Sequence, residues 1–170
     1  MSTCTVCARE FAPRLPLQRV CGLPCAKRVP KIARKAERQR DTARREAIKP
    51  RSKWLQEAQA ALNAYVRRRD AHLPCVSCGR MHEGQWHAGH YLSTGARPEL
   101  RFDERNVWRQ CAPCNTHLHG NLVMYRAELI ARIGLAEVER LEGPHQPAKW
   151  TVDDLRAIRD DYRRKLKEMA

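Results

Sequence analysis

"QCAPCNTHLHGN", residues 110–121, sets Cys111, Cys114, Asn115, His117 and His119 within nine positions, and all five side chains can hold a metal ion or touch a phosphate. The two cysteines have a natural complement upstream in Cys75 and Cys78. Paired thiolates with two intervening residues present the bite that a tetrahedral zinc ion takes. A helix is expected to begin near Cys114, because Asn115 and His119 then lie four apart on one helical face while His117 points away. Whether these residues serve one metal or two is left open by their spacing.

The 32 residues between Cys78 and Cys111 are enough for a β-hairpin held between the halves of a zinc site. "GQWHAGHYL" and "NVWRQC" are its expected strands. Alternation puts Trp86, Ala88 and His90 on one face of the first and His87, Gly89 and Tyr91 on the other. The second starts at Asn106 and delivers the chain to Cys111.

A second set of close pairs, Cys4/Cys7 and Cys21/Cys25, brings the total to eight cysteines with none left over. No run approaches the roughly 18 apolar residues of a membrane span, and "MSTCTVCARE" lacks the layout of a signal peptide. The expected compartment is therefore a reducing cytoplasm, where four close pairs read as two Zn²⁺ sites and not as disulfides. Residues 1–26 are too short for an apolar core and depend on their metal as a zinc knuckle or ribbon, which either orders the N-terminus or meets DNA.

Charge identifies the class of partner. The chain carries 33 Lys and Arg against 19 Asp and Glu, a net charge of +14, and residues 27–53 alone hold 12 basic and 3 acidic side chains. Such clustering points to a polyanion, first of all nucleic acid. The stretch has too few apolar residues for a buried face and reads as a solvated basic helix, bounded by Pro30 and Pro50, or as an arm that orders on phosphates. Lys31, Arg34, Lys35, Arg38, Arg44 and Arg45 are the side chains expected to meet DNA.

From residue 54 to 170 a second, larger domain with C-terminal helices is expected. Trp54, Leu55, Ala58, Ala61, Leu62, Tyr65 and Val66 recur at helical spacing and mark a helix packed on the core, with its aromatics inside and not stacking on bases. "LVMYRAELIARIG" and "LAEVERLEG" read as helices ended by Gly134 and Gly143. "TVDDLRAIRDDYRRKLKEM" is a closing helix capped by Thr151 with Asp154 three residues on, burying Leu155, Ile158, Tyr162 and Leu166. The expected fold class is α+β: a small zinc-stapled core flanked by helices, with an N-terminal knuckle and a basic helix.

Cys75/Cys78, His90, Asn106, Cys111/Cys114 and Asn115 fall in the order of the HNH, or His-Me finger, nucleases, which the sequence resembles. The resemblance implies a ββα-metal core in which His90 is the general base, Asn106 positions its loop, and Asn115 with His119 faces a catalytic Mg²⁺ or Mn²⁺ ion distinct from the zinc. An unperturbed imidazole near pKa 6.5 suits the proton transfer from water. The family pattern has an acidic or imidazole ligand just before the base, where this chain has Gly89. His87, two residues back on the same strand face and roughly 6.5 Å away, is the first substitute, followed by Glu83, Asp103 and His117.

Over nearly the whole chain, "CVSCG", "WHAGHY", "GARPELRFDERNVWRQCAPCN", "GNLVMYRAELIARIG" and "YRRKLKE" are similar to the NinG (Rap) recombination proteins of lambdoid phages. That resemblance implies a structure-directed endonuclease acting on branched double-stranded DNA, Holliday junctions and D-loops, in the cytoplasm of a bacterial host. A two-fold symmetric junction would favour a homodimer. The competing expectations are a non-catalytic branched-DNA-binding module, for which Gly89 speaks, and a zinc-stapled recombination adaptor.

Overall fold

The structure is a computed structural model describing residues 1–169. It divides into two compact units, residues 1–49 and a second beginning at Pro50. This division falls within the stretch 27–53, at the prolyl residue that breaks the helical run.

In the first unit, β1 (Ser2–Thr3) pairs antiparallel with β2 (Glu10–Phe11), and α1 (Leu23–Ala47) follows. The helix starts earlier than the sequence suggests: Cys25 lies in its first turn and Pro30 inside it. Pro24 near the N-terminus is pre-set for helix, and Pro30 sacrifices one backbone donor without ending the run. Cys25 is the one buried residue of α1, so the helix is a solvated rod of about 37 Å at 1.5 Å per residue.

The second unit is built on α2 (Arg51–Arg69) and α5 (Val152–Glu168), which pack together and share a core of Trp54, Ala58, Leu62, Val66, Leu155 and Tyr162. Those are the stripes expected from the sequence except for Leu166, which is only partly buried and lies outside this core, while Leu55, Tyr65 and Ile158 lie partly buried beside it. The Thr151/Asp154 capping box forms at the start of α5. Arg159 is a buried residue of α5 that periodicity did not single out; its guanidinium lies 4.6 Å from the Trp54 ring and ion-pairs with Glu57 at 3.0 Å.

Against α2 lies a two-stranded antiparallel hairpin of β3 (Trp86–His90) and β4 (Val107–Cys111), with His87 opposite Gln110 and His90 opposite Val107. Buried Asp70, at the end of α2, locks the hairpin to the helix. It accepts from Arg69 at 2.7 and 2.9 Å and from the Arg109 N–H at 3.0 Å. Helices α3 (Leu122–Ile133) and α4 (Leu135–Glu142) close the other side through Tyr125, Leu129, Val138 and Leu141. The described residues thus show a mixed helical protein with two small sheets.

The helix expected to begin near Cys114 does not form as such. Residues Pro113–His117 make a single wide π turn, after which His119, Gly120 and Asn121 all have positive φ (47, 90 and 47°) and α3 starts only at Leu122. The cause is tertiary: the Gly120 carbonyl is drawn inward to Gln110 Nε2 (2.7 Å) and Ser77 Oγ (2.9 Å), which no continuous helix through residue 120 permits. Asn115 and His119 therefore do not share a helical face.

Candidate functional site

Two groups of four cysteines assemble, Cys4/Cys7/Cys21/Cys25 and Cys75/Cys78/Cys111/Cys114, and within each the sulfurs lie within 4.8 Å of one another. That is the clustering a tetrahedral zinc requires, so both groups could hold Zn²⁺. Backbone amides prepare the sulfurs: Cys21 N–H points at Cys4 Sγ and Cys111 N–H at Cys75 Sγ, each at 3.4 Å. Burial raises the Cys4 thiol pKa, yet amides of Val6, Cys21 and Cys7 outweigh it and bring the group to about 6. His82, which cysteine spacing could not reveal, places Nε2 3.1 Å from Cys78 Sγ as an outer hydrogen-bond partner.

The second cluster fastens the hairpin. Trp86 packs on its cysteines, with the Arg109 guanidinium 3.5 Å above the indole ring. From this anchored end β3 runs toward His90, and its two faces lead to different surroundings.

On one face, His87 Nδ1 accepts from Asn115 Nδ2 at 2.8 Å. Both line a polar cleft of about 460 Å³ together with Gln85, Trp86 and, from α2, Asn63 and Arg67. The two α2 residues were missed in the sequence, although Gln59, Asn63 and Arg67 recur every four residues as a polar stripe beside the buried one. Gly89 belongs to the same face. A Cβ there would overlap Gln110 Oε1 and come within 3.1 Å of Asn115 Oδ1, so the place where residue 89 lacks a side chain is filled by one carboxamide oxygen with a second beside it.

On the other face, His90 is half-buried and its Nε2 lies 3.0 Å from the Arg101 carbonyl. A carbonyl only accepts, so Nε2 carries the proton and the neutral ring keeps its lone pair on Nδ1. Burial holds the His90 pKa below the ordinary histidine value, aided by the Arg101 charge and opposed in part by the carbonyl bond. Asn106 is fully buried and closes the loop that follows. Its Oδ1 accepts from Leu92 N at 2.8 Å, and its Nδ2 donates to Leu92 O and Leu100 O at 3.0 and 3.2 Å.

The structure thus joins His87 to Asn115 and fixes His90 and Asn106 on the same hairpin, but leaves His119 in an exposed left-handed connection. Asp103 is taken up by Arg140 at 2.8 Å, while Glu83 and His117 are exposed. A larger hollow of about 710 Å³ between Arg69, Phe102, Trp108 and Tyr162 takes in Asp103 but none of His87, His90, Asn106, Asn115 and His119.

A family model described as Bacteriophage Lambda NinG protein matches residues 1–170. The chain belongs to the NinG family. Relatives titled Protein ninG include those of Salmonella phage P22, 52% identical over 126 residues, and Escherichia phage 933W, 53% identical over the same length. The corresponding protein of Escherichia phage lambda is 51% identical. Each match covers 74% of this chain and 62 to 63% of the relative, so the chain aligns with about three fifths of the length of these NinG proteins. No solved structure matches the chain.

All six basic residues expected to meet DNA, Lys31, Arg34, Lys35, Arg38, Arg44 and Arg45, are exposed on α1. Among the described residues no helix is long and apolar enough to cross a membrane.

Proposed function

We propose that this NinG-family chain is a metal-dependent endonuclease that hydrolyses phosphodiester bonds in branched recombination intermediates, Holliday junctions and D-loops. The observation that carries the reading is the state of His90. It is a neutral imidazole with Nε2 tied to a carbonyl, on a strand anchored by a cysteine cluster and followed by a loop that a buried asparagine holds shut. A histidine kept neutral and oriented is what proton removal from water needs.

In this reading His90 Nδ1 takes a proton from the attacking water. Asn106 acts as a positioning residue by holding the loop whose Arg101 carbonyl orients the base. Arg67, on the wall of the cleft, meets a phosphate oxygen. The cleft offers a hard divalent cation the carboxamide oxygen of Asn115, which lies beside Gly89 and whose amide nitrogen is held by His87 Nδ1. Mg²⁺ or Mn²⁺ held there would supply stabilisation of the charge that develops on the phosphate and leaving oxygen. The exposed cations of α1 contribute sequence-independent affinity for the DNA backbone. A symmetric four-way substrate favours action as a homodimer.

A second reading rests on Gly89, which offers the ion no side chain: a NinG protein that binds branched DNA, or recruits other recombination proteins to it, without cutting. Incubation of the purified protein with labelled four-way junctions and linear duplex, with Mg²⁺, Mn²⁺ or chelator, separates the two. The proposed function requires metal-dependent nicks in the junction; tight junction binding with intact strands would replace it with the second reading.

A further inference from the structure

The side chain of Gln110 is fully buried on β4, and its carboxamide has one defined orientation. Nε2 donates to Gly120 O at 2.7 Å and to Ser77 Oγ at 2.5 Å, while Ser77 Oγ itself donates to Gly120 O at 2.9 Å. Because the Gly120 carbonyl can only accept, the amide cannot be turned around. Its oxygen consequently points the other way, toward Gly89, and is a buried acceptor with no hydrogen-bond partner. Buried polar atoms without partners are rare, and each calls for an explanation such as a bound ion or water.

What surrounds that oxygen says what it meets. Oε1 occupies the volume into which any side chain at residue 89 would project, and Asn115 Oδ1 lies 3.1 Å from the same point. His87 Nδ1 is 2.8 Å from the Asn115 amide. Two carboxamide oxygens converge beside Gly89, one of them on an asparagine whose amide nitrogen His87 holds, and neutral oxygen donors suit Mg²⁺ or Mn²⁺. Resting on the nuclease reading above, we infer that Gln110 is an oxygen ligand of the catalytic ion, supplying through Oε1 the donor that Gly89 lacks, and that residue 89 is glycine so that this oxygen can stand there.

The test is Mn²⁺ binding by the zinc-loaded 170-residue chain, followed by electron paramagnetic resonance with and without a short DNA duplex. Gln110→Met should weaken Mn²⁺ binding by at least about tenfold, the lower end of what removing a ligand-shell group costs. Gly89→Ala should do the same with every donor still present, because its Cβ displaces Oε1. Zinc content and the thermal transition report folding in each variant. The double variant Gly89→Asp with Gln110→Ala puts a carboxylate into the vacated space and should bind Mn²⁺ at least as tightly as the parent, which keeps the test decisive if Gln110→Met folds poorly. Parent-like Mn²⁺ affinity in both Gln110→Met and Gly89→Ala, with affinity abolished in Asn115→Ala, would remove Gln110 from the site and leave the nuclease reading standing. No Mn²⁺ bound by the parent in either condition would remove both.

Discussion

His90 Nε2 and the Arg101 carbonyl lie 3.0 Å apart across the loop that joins β3 to β4, and this hydrogen bond decides which imidazole nitrogen is available as a base. Burial lowers the His90 pKa, so the neutral form persists to more acidic pH than in a free histidine. Single-turnover cleavage of a labelled four-way junction should therefore be flat near neutrality and fall only as pH drops through an inflection below about 6.5. His90→Ala should cost about 10²-fold to 10⁴-fold in rate with junction binding and zinc content unchanged. A variant that cuts at near the parent rate would eliminate this histidine as the base.

Asn115→Ala removes a candidate ligand and leaves the base in place. Its cleavage defect should be partly recovered as Mn²⁺ is raised, since Mg²⁺ demands the stricter shell. The His90→Ala defect should be insensitive to the same titration. Equal response of the two variants to metal would contradict their separate roles.

The two cysteine clusters should bind two zinc ions per chain by native mass spectrometry. Cys75→Ser or Cys114→Ser should unfold the hairpin unit, because those sulfurs join β4 to the segment before β3 and metal binding there is folding free energy. Cys4→Ser should leave the thermal transition of residues 50–169 intact and change DNA binding instead. Fewer than two zinc ions with eight alkylatable thiols would refute the pairing.

Replacing Lys31, Arg34, Lys35 and Arg38 with Gln should weaken binding to junction and linear duplex alike. The slope of log affinity against log salt should flatten by about 0.9 for each phosphate that the variant no longer neutralises. Loss of branch discrimination with affinity and slope retained would assign α1 a recognition role in place of the backbone one.

Asp70→Ala should be among the most destabilising substitutions in the chain, by about 3 kcal/mol, because it removes the buried carboxylate that pairs the Arg69 guanidinium and leaves the Arg109 amide without its acceptor. Urea unfolding of the parent and variant measures the difference. A change below about 1 kcal/mol would show that the interaction does not hold the hairpin to α2.

The amino-acid sequence by itself determined the features that depend on local spacing and on thiol chemistry. Close cysteine pairs can be counted, and the apolar stripes of α2 and α5 repeat at the helical period. The Thr151/Asp154 cap joins residues three apart in the chain, and the hairpin follows from strand alternation between the two halves of a cysteine cluster. The face shared by His87 and Gly89 was also legible, since alternation in a strand fixes it. Tertiary structure decided what residues distant in the chain do to each other. Gln110 and Ser77 draw the Gly120 carbonyl inward and so break the helix expected after Cys114, which separates Asn115 from His119. Asn115 meets His87 across 28 positions, and Asn63 and Arg67 reach the same cleft from α2. The orphan oxygen beneath Gly89 belongs to this second kind: a glutamine in a strand has no local signature, and only the packed hairpin leaves its Oε1 without a partner and facing the place where a side chain is missing.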